Sequence, residues 1–233
     1  MVTLVEPSLT SPADPCGVLY YMEITQLLMS VNLIENVNKK YTKSTKADYW
    51  DNSIFKDIVK LTNDERGRWG EELLFELVKQ YTNFDIHWDC DKNTNPLDGV
   101  YDLWIIDNNK IKTRIELKTS GRTISKGKPI GWQHENVYYC DNQWDKLIFI
   151  DYDSNDVIYI TIVNYDQIVI DNQIDLTLFG KRGHCRKNEN GKAKVDFSMK
   201  SIMNGFNMGV TFKYDLNNPS NEKLKTFLTE KLK

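Results

Sequence analysis

No run of this 233-residue chain is long and apolar enough to cross a bilayer as a helix, which takes about 20 consecutive apolar residues. Its opening residues lack the basic region followed by an apolar stretch that marks a secretory leader. Cysteine is scarce: Cys16, Cys90, Cys140 and Cys185 stand far apart and form no paired metal motif. His184 beside Cys185 reads as a surface pair rather than half a zinc site. The expectation is a protein with no membrane partner in a reducing, intracellular (cytoplasmic) compartment, with free thiols. No internal repeat is present. Neither charge sign dominates, with 30 Lys and Arg against 33 Asp and Glu and a net charge of -3. The whole-chain balance therefore gives no sign of nucleic-acid binding.

What is present is unevenly spread. From Asp141 to Asp175 eight aspartates face the single Lys146, whereas Lys181 to Lys200 holds seven Lys or Arg against Glu189 and Asp196. Such segregation fits either one basic face on an acidic body or two solvated faces of opposite sign. The length suits one domain with an extension. Residues 1–15 carry three of the six prolines and read as an extended arm. Ile24, Leu27, Leu28, Val31 and Leu33 recur at helical spacing over about 19–37, residues 38–51 read as a polar loop, and 54–61 as a short helix. The organisation expected is a helical N-terminal extension, 1–61, and a main domain, 62–233, with a basic insertion at about 176–209.

Thr62 or Asn63 caps the next helix, whose apolar face runs from Trp69 to Tyr81. Strands follow at 84–88, 101–106 and 111–117, with Asp107-Asn108-Asn109 as hairpin turn chemistry. Gly121 to Gly131 reads as a Gly- and Lys-rich loop, and a short helix is expected near Trp132, carrying Gln133, His134, Val137 and Tyr138. Residues 147–150 and 157–163 are branched and apolar, hence interior strands. Ile168–Ile170 reads as an edge strand and Val210–Tyr214 as a late strand. A final helix capped near Asn217–Ser220 uses Leu224, Phe227, Leu228 and Leu232. The order predicts an α/β fold with a mixed central sheet flanked by helices.

Three charges stand out. Asp102 precedes an apolar strand, and Glu116 and Lys118 close the next one. Buried unpaired charge is expensive, so chemistry explains it better than packing. Glu116 and Lys118 are two apart and share a strand face, and hairpin pairing can bring Asp102 beside them. Their oxygens, with the Leu117 backbone carbonyl and water, suit octahedral magnesium. On the preceding helix Leu74 and Val78 lie at +3 and +7 from Glu71, so Glu71 edges the core-facing stripe, while Glu72 aligns with Glu76 and Lys79 and reads as solvated. Asp98, before Gly99, is an alternative acid that reads first as a turn residue.

Asp102, Glu116-Leu117-Lys118 and a helix bearing Glu71 resemble the PD-(D/E)xK nuclease superfamily, the restriction-endonuclease-like fold. Tyr101 stands where that family usually has proline. Gly67-Arg68-Trp69-Gly70-Glu71 also resembles the Gly-Glu signature of its first helix, and the likeness covers residues 62–163. It implies a magnesium-dependent endonuclease, with manganese substituting, that hydrolyses DNA phosphodiester bonds and is of restriction, phage or mobile-element type. Asp102, Glu116, Lys118 and Glu71 would be catalytic, with Asp102, Glu116, Glu71 and the Leu117 carbonyl as metal ligands. Gln133, with Tyr138 after it, resembles the Gln-and-Tyr motif of RecB-like members, without matching its spacing. His134 reads as a surface histidine, with a proton shuttle as the alternative.

Ser120, Arg122, Lys126 and Lys128 follow the active-site strand as candidate phosphate contacts, against a plain solvated loop. Lys181, Arg182, Arg186 and Lys187, with Lys192 and Lys194, form a candidate phosphate-contacting arm. RNA is the alternative substrate, and a binding or assembly protein that keeps the fold without cleaving is the alternative function. The chain carries one constellation, so cutting both strands would call for a homodimer.

Overall fold

The computed structural model describes residues 32–38, 49–88, 101–126, 128–139, 143–170, 173–175, 184–187 and 192–233. The expected N-terminal helix is seen at its end as α1, over 32–38; its beginning, the proline arm and most of the 38–51 loop lie outside these residues. Among the described residues no helix is long and apolar enough to cross a membrane. The 54–61 segment forms turns and one 3-10 turn, Ile58–Lys60.

Helix α2 spans Asn63–Tyr81. A capping box starts it: Glu65 N–H donates to Thr62 Oγ1 (3.3 Å), and Thr62 N–H donates to Glu65 Oε2 (3.0 Å), which satisfies two otherwise orphaned donors. Its apolar stripe of Trp69, Leu73, Leu74, Leu77 and Val78 is buried. Glu72 is buried too, at 8% exposure, rather than solvated.

A six-stranded sheet runs in the order β1 (Asp85–Trp88), β2 (Leu103–Ile106), β3 (Lys112–Gly121), β6 (Lys146–Asp153), β7 (Val157–Asn164), β12 (Thr211–Asp215). Only β3 and β6 pair in parallel, so the central sheet is mixed and mostly antiparallel. Every residue of β6 is buried, as a strand covered on both faces requires. One face holds Ile115, Leu117, Ile148, Ile150, Ile158 and Ile160 against α1, α2, Trp50, Phe55 and the last helix, α5 (Asn221–Lys231).

The opposite face packs on a second sheet, ordered β10 (His184–Lys187), β11 (Lys192–Phe197), β5 (Lys128–Tyr138), β4 (Thr123–Ser125), together with α4 (Met199–Asn207). Trp132, Phe149, Tyr159, Val195, Phe197 and Ile202 fill that second core. Much of the basic insertion is thus folded structure. After a short helix, α3 (Tyr165–Ile168), the strand expected at 168–170 is seen as β8 (Val169–Ile170), which pairs with β9 (Gln173–Ile174) in a two-stranded ribbon outside the central sheet.

In place of the expected loop and helix, residues 123–125 and 128–138 form the antiparallel strands β4 and β5. Trp132 and His134 point inward and Gln133 outward, as a strand demands. A β-bulge then inserts Asn136, whose φ of 56° is left-handed, between His134 and Val137. The bulge spaces the inward residues three apart, which mimics helical spacing in the sequence.

Gly70 sets the distance between α2 and β3: a Cβ there would run into the Thr119 side chain. Gly70→Ala is expected to destabilise the protein by about 1–3 kcal/mol through overpacking, read as a lower urea midpoint; an unchanged midpoint would show that the two layers can part without loss.

Candidate active site

On β3, Glu116, Lys118 and Ser120 alternate onto the face of the second sheet, because their β6 neighbours in register are Leu147, Phe149 and Asp151. Ile115 and Leu117 face α2. Strand β2 stops pairing where Asp102 begins. Asp102 N–H donates to the Ile115 carbonyl (2.9 Å), and its Oδ2 accepts from Leu117 N–H (2.7 Å). The carboxylate thus takes the ladder position that a longer β2 would fill. N–H and C=O of one strand residue project to the same side, so the Leu117 carbonyl points toward Asp102. Glu71 is held from α2 by Trp88, whose Nε1 donates to Glu71 Oε2 (2.8 Å). Lys118 Nζ is ion-paired with Glu116 Oε1.

These groups act on one another. Burial pushes Glu71 up to about 7, helped by Asp102 and opposed by the Trp88 bond, Lys118 and Arg68. Burial likewise lifts Glu116 to about 7, with Lys118 pulling down and Asp102 and Glu71 pushing up. Asp102 is raised by burial against the pull of Lys118 and the Leu117 N–H. Burial works against the Lys118 ammonium, yet Glu116, Asp102 and Glu71 outweigh it and raise its pKa. Three carboxylates around one ammonium leave an excess of negative charge. Because the Glu71 and Glu116 pKa values are raised on folding, their contribution to stability declines as pH rises from ordinary carboxylate values through about 7.

One oxygen of each acid is committed, Glu71 to Trp88, Asp102 to Leu117 and Glu116 to Lys118. The second oxygen of each, with the Leu117 carbonyl, makes an oxygen-only donor set of the kind hard cations take. Among the described residues, however, no three His, Cys, Asp or Glu side chains are close enough to hold a metal ion as they stand.

Glu71, Asp102, Leu117, Lys118 and Ser120 line one cleft of ≈ 640 Å³ between the N-terminal half of α2 and β5. Gln133 is exposed on its wall, as a substrate contact must be. Ser120 is buried; its Oγ accepts from Gln133 N–H (3.2 Å) and so ties β5 to β3. Arg122 lies off the cleft lining, its guanidinium bound to buried Asp153 (2.5 Å) and over the Trp132 ring. Lys126 and Lys128 sit at the β4–β5 turn, off the cleft lining. Tyr138, at the far end of β5, is also off it; its carbonyl accepts from Trp144 Nε1.

Lys181, Arg182 and Asp98 lie outside the described residues, as do the side chains of Arg186 and Lys187 on β10. His134 is no surface residue. It and Asp151 are both buried, with Nε2 2.9 Å from Oδ1, directly behind the cleft wall. The acidic run is likewise not one solvated face, since Asp151 and Asp153 are buried and Asp145 clasps Arg114. The sequence reading did not single out Asn63, Arg66 or Arg68 as cleft residues, nor Trp88 as the support of Glu71.

No family model, curated protein or solved structure matches the chain.

Proposed function

We propose that this cleft is the active site of a magnesium-dependent endonuclease of the PD-(D/E)xK kind, built on a restriction-endonuclease-like fold and cutting DNA. The observation that carries the reading is the convergence of Glu71, Asp102, Glu116 and Lys118. They come from three separate segments; Glu71, Asp102 and Lys118 line one cleft, buried Glu116 is ion-paired with Lys118 behind it, and the four perturb each other's protonation. Glu71, Asp102, Glu116 and the Leu117 carbonyl would hold the cation once the carboxylates draw in toward it. When bound, a magnesium ion neutralises the excess negative charge and acts as a Lewis acid on a phosphoryl oxygen. Lys118, held by Glu116, supplies a fixed positive charge where negative charge grows on the phosphoryl group. Trp88 holds one oxygen of Glu71 and the Leu117 N–H one oxygen of Asp102, which limits how far each acid would move to reach the cation. Manganese is expected to substitute. One site cuts one strand, so double-strand cleavage would need a second copy of the chain.

The alternative is a nucleic-acid-binding protein that keeps this arrangement without cleaving. The observation on its side is that no three acidic side chains among the described residues are close enough together to hold a cation. Incubation with plasmid DNA and a matched RNA, each with magnesium, manganese or EDTA, separates the readings. Metal-dependent nicks in DNA support the first, nicks confined to RNA change the substrate, and intact nucleic acid in every lane supports the alternative.

The raised pKa values give a second check. Below about pH 7 a cation must displace protons from Glu71 and Glu116. Apparent magnesium affinity, measured by calorimetry at pH 6, 7 and 8, is therefore expected to climb up to about pH 7 and flatten above it. A flat profile from pH 6 would show that these acids do not bind the ion.

A further inference from the structure

Two glycines lie inside α2, and only one is explained by the fold. Gly70 is pressed on Thr119. A Cβ at Gly67 would meet nothing within 4 Å among the described residues, and its backbone is not in the left-handed region that favours glycine. Glycine at an interior helix position weakens the helix relative to alanine, and no contact with the described residues offsets this. Gly67 lines the cleft, four residues before Glu71, and so shares its helix face about 6 Å farther toward the N-terminus. Arg66 and Arg68 flank it on the cleft wall.

The Arg66 guanidinium is held by the Leu61 carbonyl (3.0 Å). Arg68 is exposed, is bound to no carboxylate among the described residues, and its charge reaches Glu71. Open space beside an unclaimed arginine, one helical turn from the acid cluster, suits a phosphodiester backbone pressed against α2.

We propose that Gly67 and Arg68 form a backbone-binding subsite, where the phosphodiester chain next to the scissile bond lies against α2. Gly67 gives the room and Arg68 the charge. This rests on the nuclease reading and extends it: the substrate is a polymer gripped at more than the reacting phosphate.

Gly67→Ala is expected to raise Tm by about 2–4 °C, because a helix-favouring side chain enters free space. Gly67→Gln, which fills that space, is expected to raise KM for duplex DNA by roughly tenfold. Arg68→Gln, assayed for duplex binding in a Lys118→Gln background that keeps the carboxylates, is expected to make the log–log salt dependence shallower by about 0.9. A lower Tm for Gly67→Ala would reveal a packing role and overturn the proposal. So would a wild-type KM for Gly67→Gln or an unchanged salt slope for Arg68→Gln, in a wild-type protein that cuts DNA. If the wild-type protein neither cuts nor binds DNA, the nuclease reading fails and the subsite falls with it.

Discussion

Glu116→Gln is expected to lower the metal-dependent cleavage rate by on the order of 10³-fold or more, while leaving the fold intact. The residue is 5% exposed, and burial pushes its carboxyl up to about 7. A neutral amide of the same shape therefore relieves a desolvation penalty and takes the charge from the partner of Lys118, while its oxygen can still accept from the ammonium and Asp102 and Glu71 still act on it. Cleavage loses both a cation ligand and the charge paired with Lys118, and charge stabilisation of this kind carries several kcal/mol of a phosphoryl-transfer barrier. Folding stability and cleavage should thus part company. Urea denaturation at pH 8 is expected to show a midpoint at or near wild type, beside plasmid that stays supercoiled. A variant that is folded and still cuts at the wild-type rate would remove Glu116 from the site.

The second large effect lies behind the cleft. His134→Leu is expected to destabilise the protein by roughly 3–5 kcal/mol, a fall in Tm on the order of 10 °C. His134 and Asp151 have no exposed side-chain surface, and among the described residues the Asp151 carboxylate has no polar partner beyond its 2.9 Å ion-pair contact with His134 Nε2. Burial already lifts the Asp151 carboxyl, with His134 holding it down. Without His134 it rises further and must stay protonated, so stability declines as pH climbs through that value. The loss should be smaller at pH 5 than at pH 8. Replacing both residues by leucine, next to Phe149 and Phe197, is expected to recover much of it, since no buried charge then remains. A loss under about 1 kcal/mol at both pH values would mean that the pair is solvated.

The candidate site was legible because its residues sit close together in the sequence on strongly patterned elements. Asp102, Glu116 and Lys118 lie on one hairpin, and Glu71 lies at a fixed offset on a helix with a capping box. The surroundings were not legible, since they depend on partners far along the chain. Arg122 reads as a free phosphate contact until Asp153, on β6, claims it. His134 reads as a surface residue until β6 brings Asp151 beneath it. The bulge at Asn136 disguised β5 as a helix, because one inserted residue turns a period of two into a spacing of three. Gly67 and Gly70 look alike in the string Gly67-Arg68-Trp69-Gly70; only the packed sheet shows that one is filled and the other open.

The most direct measurement is the fate of supercoiled plasmid incubated with wild-type protein and with Glu116→Gln, each in magnesium and in EDTA, with the product ends mapped. Nicked or linear DNA bearing clean hydrolytic ends only in the wild-type magnesium reaction is the expected result. Equal cleavage by both proteins, or cleavage that persists in EDTA, would contradict a metal-dependent centre built on Glu71, Asp102, Glu116 and Lys118.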